Sequence, residues 1–309
     1  MIVEKFVDVM SYWLIADAGG TKVHWAVADS DGRMVEEFFS GGVNPAVMSV
    51  DRVRRTIVEA LCGRTLPLLE GVLFYGAGCK GEEPCASVRA ALCGALDVGA
   101  GAVRVESDML GVCHALLGNQ PGVACILGTG ANSCVYNGRS ITGNVAPGGF
   151  ILGDEGSGAW LGRNFASDLL KGLLPAEVAE RFYKERSLTP AEIIRHVYRP
   201  ESDELPPNRF LASFAPFMKR NLSEPSVRNI VERGFNEFFE RNVCRYFGGG
   251  GSGEVMQRTV HFVGSVAVEF AGELRNAASR HGFEVGNVLR SPMEGLLRHL
   301  DCNCGETQP

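Results

Sequence analysis

The chain has 309 residues, of which 45% are hydrophobic and 21% are charged, and its formal net charge is −6. This apolar content is enough to bury a sizeable core and excludes a globally disordered chain, and the length fits about two domains. The negative charge argues against a general nucleic-acid-binding protein, which usually presents a basic face, although backbone amides can still hold phosphate groups.

The cysteines and one long uncharged segment indicate in which cellular compartment the protein is expected. Residues 1–10 carry charges and lack the apolar segment of a secretory signal, so the ten cysteines are interpreted as reduced, mostly buried thiols of a cytoplasmic protein. The uncharged segment 109–138 is interrupted by glycine-rich turns, and neither apolar piece approaches the ~20 residues of a membrane span. We therefore expect no membrane partner.

Apolar runs separated by turn residues predict that the chain opens with three antiparallel strands, followed by helix, strand, helix, strand and helix. The strands are predicted at residues 12–16, 23–28, 34–39, 71–75 and 102–105, and the helices at 50–62, 84–96 and from the N-cap Ser107 to Gly118.

The same opening recurs after Gly122. Strands are predicted at residues 123–127, 133–136 and 140–142, and the Asn137-Gly138 dipeptide is a strong hairpin signal between the last two. Each half thus begins with a strand, a turn of small residues and a second strand. The chain is therefore expected to contain an internal structural repeat at low sequence identity.

The rest of the second half is predicted to be mostly helical. Residues 161–242 form a helical insert, and the glycine-rich segment 247–253 is interpreted as a surface hairpin rather than a linker. A strand at 259–263 then leads into a helix over 264–278.

A last helix is predicted at residues 292–300, followed by a polar tail. The tail contains Cys302 and Cys304, but no second cysteine pair stands at metal-ligand spacing, so a disordered tail is favoured over a metal site. These elements predict an α/β protein with two domains, 1–120 and 121–291, and the final helix is expected to pack on the first.

A glycine-containing turn, Asp17-Ala18-Gly19-Gly20-Thr21, is the first candidate for nucleotide binding. It links two strands, so it is neither a Walker A loop nor a dinucleotide fingerprint, both of which need a following helix. Adjacent glycines let backbone amides approach a polyphosphate, Thr21 can donate a hydroxyl, and the Asp17 carboxylate can hold a hydrated Mg²⁺. A plain glycine hairpin is the alternative.

Two further motifs extend this interpretation. Gly128-Thr129-Gly130 takes the equivalent place in the second half, which suggests two turns that face one polyphosphate. Gly264-Ser265-Val266-Ala267 lies at a strand-to-helix junction, where small residues would let an adenosine lie against the backbone. A tightly packed junction with no ligand is the alternative for this third motif.

The order of these motifs resembles the actin, hexokinase and Hsp70 ATPase superfamily. Within it, the glycine-rich segment 148–158, which contains Gly-Asp-Glu-Gly-Ser, is similar to the N-acetylglucosamine kinase branch. That branch shares the BadF/BadG/BcrA/BcrD ATPase family with activators of 2-hydroxyacyl-CoA dehydratases and benzoyl-CoA reductase. The resemblance covers residues 14 to about 300. It implies two ribonuclease H-like domains of the actin-like ATPase fold with the active-site cleft between them, and ATP and Mg²⁺ as cofactors.

The resemblance also implies roles for individual residues. The residues assigned to the ATP phosphates are Gly19, Gly20 and Thr21, with Lys22 beside them, and Gly128, Thr129 and Gly130. Those assigned to adenosine are Gly264, Ser265, Val266 and Ala267. Asp108 is assigned to catalysis, and Asn44, Asn132, Gly149 and Asp154 to the N-acetylhexosamine. Strand alternation could instead direct Lys22 to solvent.

The chemistry of Asp108 can also be argued from its position between a strand and a helix N-terminus. An ordinary N-cap is one interpretation. In a kinase, the carboxylate would accept the proton of an attacking sugar hydroxyl. The positive helix end favours the ionised carboxylate and weakens it as a base, so we expect it to orient the hydroxyl and take the proton late.

Asp154 and Glu155 are adjacent carboxylates in a glycine-rich loop. We expect Asp154 to accept hydrogen bonds from sugar hydroxyls and Glu155 to buttress the loop within the same substrate site. A solvated acidic turn is the alternative.

Three functions from different classes remain open. The leading one is an ATP-dependent kinase of an N-acetylated aminosugar, N-acetylglucosamine at the 6-hydroxyl by resemblance, with glucosamine or N-acetylmuramate as variants. The second is an ATPase activator with an iron–sulfur cluster, although Cys134 follows Gly130 without the Cys-Ala-Ala-Gly-Thr-Gly stretch that those activators carry. The third is a non-catalytic sugar sensor. The sequence leaves the oligomeric state open, with a homodimer as one alternative.

Overall fold

The computed structural model describes residues 11–201, 204–247 and 258–304, and side chains up to Leu300. The chain divides into two compact units: Met1–Gly118 with Pro292–Pro309, and Asn119–Ser291. Residues 248–253 of the glycine-rich segment, whose surface-hairpin prediction is therefore untested, lie outside the described residues, as do the side chains of Cys302 and Cys304. None of the helices in the described ranges is both long and apolar enough to cross a membrane.

The first unit contains a five-stranded mixed sheet in the order β3-β2-β1-β4-β5. Its strands are β1 Tyr12–Ala18, β2 Lys22–Asp29, β3 Met34–Gly41, β4 Leu69–Gly76 and β5 Val103–Ser107. The first three pair antiparallel, whereas β4 and β5 run parallel to β1. Parallel neighbours require crossover connections, and here these contain α1 Val50–Leu61 before β4 and α2 Glu82–Leu96 before β5. Helix α3 Asp108–Leu117 follows β5, and α13 Met293–Cys304 comes from the end of the chain.

Both faces of this sheet are covered, because β1 buries successive residues on opposite faces. Leu14 and Ala16 face a core that includes Val53 of α1 and Leu92 of α2. Ile15 faces the opposite core, which α13 supplies with apolar side chains. A central strand with apolar residues on both faces explains why the run of residues 12–16 was recognisable in the sequence.

The second unit repeats this topology. Its sheet has the order β10-β9-β6-β7-β8, formed by β6 Pro121–Leu127, β7 Ala131–Asn137, β8 Ile141–Gly143, β9 Thr259–Val263 and β10 Glu284–Leu289. Three antiparallel strands are again followed by two parallel strands. The internal repeat predicted from the sequence is confirmed.

Nine helices of the second unit surround its sheet in the described residues. They are α4 Gly149–Leu152, α5 Gly158–Leu170, α6 Ala176–Arg186, α7 Pro190–Tyr198, α8 Pro207–Ala212, α9 Ala215–Arg220, α10 Pro225–Arg241, α11 Ser265–Glu269 and α12 Ala271–Arg280. Aromatic rings join the inserted helices to one another: the Phe182 ring centroid lies 5.0 Å from that of Phe165 and 4.9 Å from that of Phe214. These rings belong to one hydrophobic core with β6 and β9, so the insert packs as part of the second unit.

The structure corrects several predicted elements. The single helix over 264–278 is wrong, because the chain breaks at Phe270, which is fully buried and has φ −108° and ψ 30°. Gly272 follows two residues later and lowers the helical propensity of this junction. The sequence analysis missed β10 and the single-turn α4, and it ended α13 four residues early.

A pair of glycines tests the packing of α5 against α8. A methyl group on Gly162 would lie 1.9 Å from the carbonyl oxygen of Leu211 in α8, whereas one on Gly272 of α12 would meet no atom within 4 Å. We expect Gly162→Ala to lower the free energy of unfolding by about 2 kcal/mol or more, because backbone must move. Gly272→Ala should raise it by about 0.5–1 kcal/mol. Urea denaturation checks both, and equal effects would contradict the close α5–α8 contact.

Candidate functional site

The candidate residues of the first unit lie at the carboxyl edge of its parallel strands. Asp17 of β1 pairs with Tyr75 of β4, which in turn pairs with Glu106 of β5. The first turn follows β1, and Asp108 begins the helix that follows β5. Because carboxyl ends of parallel strands meet at one edge, the fold brings the first turn, Asp17 and Asp108 together.

Asn44 adjoins the first turn from the other side. The amide of Val43 donates to the Gly19 carbonyl over 3.2 Å, which docks the loop before α1 onto the turn. A methyl group on Gly78 would lie 2.0 Å from the Asn44 Oδ1, so the loop after β4 also closes on this side chain. A cavity of about 690 Å³ in this unit is lined by Gly20, Thr21 and Asn44.

Lys22 lies on the exposed side of the first turn. Its ammonium is 5.3 Å from the ring centroid of Phe39 on β3, within range of a cation–π contact.

The interpretation of Asp108 as the N-cap of α3 is wrong. Ser107 is the N-cap of α3 and accepts from the Leu110 amide over 3.2 Å, so Asp108 is the first helical residue. Its Oδ1 accepts from the Met109 amide over 2.8 Å. The expectation that the helix end makes Asp108 a weaker base is wrong: burial outweighs these hydrogen bonds and raises the pKa of its carboxyl group.

Asp17 is the most perturbed carboxyl group of this edge. Its pKa is raised from 3.8 to about 6, mainly by burial; the nearby Asp108 charge adds to this rise, and the charges of His24 and Lys22 oppose it. Two adjoining carboxylates with little solvent favour a positive charge beside them. A divalent cation with retained waters needs only one or two carboxylates, so the pair fits hydrated Mg²⁺.

The second turn is held by the N-terminus of α5. The carbonyls of Gly128 and Thr129 accept from the amides of Gly158 over 2.8 Å and Ala159 over 3.0 Å, and the Gly128 amide donates to Gly130 over 3.0 Å. Ser157 caps the same helix through the Trp160 amide. The turn is therefore a fixed part of the helix–sheet junction.

The third motif packs directly against the second. Gly264 has φ +130°, and a methyl group there would lie 2.2 Å from the Leu127 carbonyl oxygen, so only glycine fits. Its amide donates to the Leu289 carbonyl over 2.9 Å. Ser265 then begins α11 beside the second turn, whereas Ala267 is fully buried in the core.

A cavity of about 550 Å³ joins the second and third motifs. Gly128, Thr129, Ser265 and Val266 line one side, and helices α8 and α9 line the other. The sequence analysis missed the basic residues of this cavity, namely Arg209, Lys219, Arg220 and Arg290. Of these, only Arg290 has a position that a sequence pattern could indicate, because it directly follows the carboxyl end of β10. That signal was lost because β10 itself was not predicted.

Asp154 lies against the second turn. It has φ +52°, its amide donates to the Pro147 carbonyl over 2.8 Å, and its Oδ1 accepts from the Ala131 amide over 3.2 Å. A methyl group on Gly130 would lie 3.1 Å from its Oδ2. Burial is the main cause that raises the pKa of Asp154, and the Ala131 hydrogen bond opposes it.

Glu155 and Arg163 brace the loop that carries Asp154. Glu155 is buried and accepts from the Asn242 Nδ2 over 3.3 Å, with Arg241 at 3.5 Å. Arg163, which the sequence analysis did not single out, donates to the carbonyls of Phe150 over 2.5 Å and Ile151 over 3.1 Å. Gly149, by contrast, is exposed at the start of α4 with φ +71°.

Asn132 lies on β7, one residue beyond the amide that binds Asp154. Its Oδ1 accepts from the Ser133 amide over 2.9 Å and from the Asn144 Nδ2 over 2.9 Å. The second unit therefore brings Asn132, Asp154 and the second turn together. Cys134, two residues further on, is fully buried, which disfavours an exposed iron–sulfur ligand. No group of three His, Cys, Asp or Glu side chains able to hold a metal occurs among the described residues.

Comparison with known proteins identifies the family. No protein-family model matches the chain, and no curated protein matches it either. Among solved structures, a candidate N-acetylglucosamine kinase from Porphyromonas gingivalis is 39% identical with a TM-score of 0.83, covering 94% of this chain and 99% of that chain.

Two more distant structures share the fold. A second candidate N-acetylglucosamine kinase, from Chromobacterium violaceum, is 17% identical with a TM-score of 0.64 and covers 94% and 99% of the two chains. A ROK-family glucokinase from Streptomyces griseus, solved with glucose and AMPPNP, is 16% identical with a TM-score of 0.56 and covers 95% and 98%. Together with the two repeated sheets, the 39% identity shows that the chain belongs to the N-acetylglucosamine kinase-like family of sugar kinases in the actin-like ATPase superfamily.

Proposed function

We propose that the protein transfers the γ-phosphoryl group of ATP to the 6-hydroxyl of an N-acetylated aminosugar, with N-acetylglucosamine as the substrate. One observation carries the proposal. The turn Gly128–Gly130 lines the cavity of about 550 Å³ on one side and adjoins the Asp154 carboxylate on the other. A phosphate donor and a sugar acceptor bound on these two sides would be separated only by the three residues of this turn. The N-acetyl preference follows the description of the 39% identical relative.

In this proposal, the oxygen of the sugar hydroxyl attacks the γ-phosphorus, and the bond between that phosphorus and the oxygen that leaves with ADP breaks. The Asp108 carboxylate accepts the proton of the hydroxyl. The raised pKa makes its carboxylate a stronger base than an exposed aspartate. The protein forms no covalent bond with the transferred group, so most of the remaining rate enhancement comes from positioning of the reactants by the first and second turns. Asp17 would hold Mg²⁺ through water, and that ion neutralises phosphate charge when bound.

A panel of acceptors tests the proposed substrate. We expect ADP release to be fastest with N-acetylglucosamine when glucose, glucosamine, N-acetylmannosamine and N-acetylmuramate are offered in turn. Phosphorus NMR of the product should show a 6-phosphate. Rapid ATP hydrolysis in the absence of any sugar would instead indicate an ATPase and would contradict the kinase.

Asp108→Asn should abolish phosphoryl transfer and leave nucleotide binding nearly intact. The amide keeps the shape of the side chain but cannot accept a proton, and a general base contributes about 10²–10⁴-fold to the rate. Ser107→Ala is the matched control, because it removes the cap of the same helix at an expected cost of about 1 kcal/mol while keeping the carboxylate. Retention of more than about a tenth of kcat in Asp108→Asn would exclude a catalytic base.

Thr129→Val and Asp154→Asn should separate the two ligands. Thr129 lines the nucleotide cavity, so its variant should weaken ATP binding with sugar binding kept. Asn tolerates the left-handed conformation at residue 154 and keeps an acceptor for the Ala131 amide. Loss of the charged acceptor should weaken sugar binding about tenfold to a hundredfold. Calorimetry with each ligand alone measures both, and a joint loss in either variant would contradict separate sites.

Asp17→Asn should stabilise the protein at high pH. A carboxyl group whose pKa rises on folding, here from 3.8 to about 6, destabilises the folded state increasingly as pH rises from the unfolded to the folded pKa, and by a constant amount above it. The variant should gain about 2–3 kcal/mol of unfolding free energy at pH 8 and close to nothing at pH 4. Urea denaturation at both values checks this, with exposed Asp51→Asn as the control. A pH-independent difference would contradict the raised pKa.

A further inference from the structure

The side chain of Asn144 lies in a compact polar network at the edge of the second sheet. Its Nδ2 is 2.9 Å from the Asn132 Oδ1 and 2.6 Å from the Ser133 carbonyl oxygen. Asn144 follows β8, whereas Asn132 and Ser133 are on β7. The network therefore ties the loop after the hairpin to the strand that leads from the second turn.

The polarity of both amides is fixed by main-chain groups. The Asn132 atom 2.9 Å from the Ser133 amide must be an oxygen, because a backbone N–H can only donate. The Asn144 atom 2.6 Å from the Ser133 carbonyl must be the nitrogen, because a backbone carbonyl can only accept. The two assignments agree at the Asn132–Asn144 hydrogen bond. The Oδ1 of Asn132 thus accepts two hydrogen bonds from the protein, and its NH₂ group lies on the other side of the amide carbon.

Tyr246 anchors the same network from outside the sheet. Its hydroxyl donates to the Ser133 carbonyl over 2.8 Å and accepts from the Val145 amide over 3.0 Å. The residue that follows Asn144 is therefore held in place by its main chain. A side chain attached to such a segment can orient a neighbour without touching the ligand itself.

We propose that Asn144 is a positioning residue that locks the Asn132 amide with its NH₂ group toward the sugar, so that Asn132 donates to an acceptor oxygen of the substrate. The proposal rests on the proposed function, which places the sugar beside Asp154 and Asn132. Asp154, bound through the neighbouring Ala131 amide, can only accept when ionised. Asn132 on β7 and Asp154, which is held by the amide of the preceding residue Ala131, then offer one donor and one acceptor.

This arrangement defines the chemistry of the ligand. A sugar hydroxyl that donates to Asp154 and a second oxygen that accepts from Asn132 would satisfy both groups. A hydroxyl or an acetamido carbonyl can serve as that acceptor, whereas an ammonium group cannot. Sugars that place a protonated amine beside the Asn132 NH₂ group should therefore bind poorly.

Two substitutions test the role of Asn144. Asn144→Asp replaces the donors by acceptors that repel the Asn132 Oδ1 and the Ser133 carbonyl, and we expect the sugar KM to rise about tenfold. Asn144→Ala removes the donors without adding charge and should raise it about threefold. In both variants kcat and the KM for ATP should stay within about twofold, because neither contacts the phosphates. Thr142→Val is the matched control, since it removes a 3.4 Å hydrogen bond on β8 that does not reach Asn132.

A double-mutant cycle with Asn132→Ala distinguishes positioning from general structure. If Asn144 acts through the Asn132 amide, Asn144→Asp should change the sugar KM less than twofold once that amide is absent. An unaltered sugar KM in Asn144→Asp, or an undiminished effect in the Asn132→Ala background, overturns the inference alone. A wild-type protein that binds none of the sugars by calorimetry overturns the proposed function and the inference with it.

Discussion

The close approach of Gly264 to β6 is the constraint on which the cavity of about 550 Å³ depends. A side chain at this position would lie 2.2 Å from the Leu127 carbonyl oxygen, at the point where β6 gives way to the second turn. Because the chain can pass this closely, Ser265 begins α11 beside Gly128. The turn is held from its other side by the amides at the start of α5. Elements β6, α5 and α11, which are distant in sequence, thus meet at the second turn, and this turn and Ser265 form one wall of the cavity.

Charge burial gives the site its second constraint. Asp17, Asp108 and Asp154 all have raised pKa values, and burial is the largest cause for each. Such groups oppose folding at neutral pH, since the ionised form has lost solvent. In a sugar kinase the same property is useful, because a cation, a hydroxyl proton or a sugar hydroxyl would restore the lost interactions. If these three residues have the proposed roles, stability and function pull their positions in opposite directions.

Sequence patterns were sufficient where burial imposes a simple period. The strands β1, β4 and β6 read as apolar runs because both faces are covered, and Ser107 was recognised as a cap by its residue type. Strand β10 escaped because none of Glu284–Leu289 is fully buried and no alternation results. The cavity lining by Arg209 and Arg220 depends on helix packing that no spacing encodes. For Asp108, residue type and position gave the helix terminus but not the depth of burial, so the direction of its pKa shift was wrong.

The register of β6 and β7 connects the two ligand sides more directly than any single contact. Leu127 pairs with Ala131 and Ile126 with Asn132, so the three-residue turn leaves no freedom in how the strands align. Ala131 and Ser133 point inward and are buried, which leaves Asn132 half-exposed between them. A slip of one residue would bury the amide and turn the Ser133 side chain outward, away from Tyr246. The pairing that fixes the turn Gly128–Gly130 therefore also determines which face Asn132 presents and which backbone amide holds Asp154.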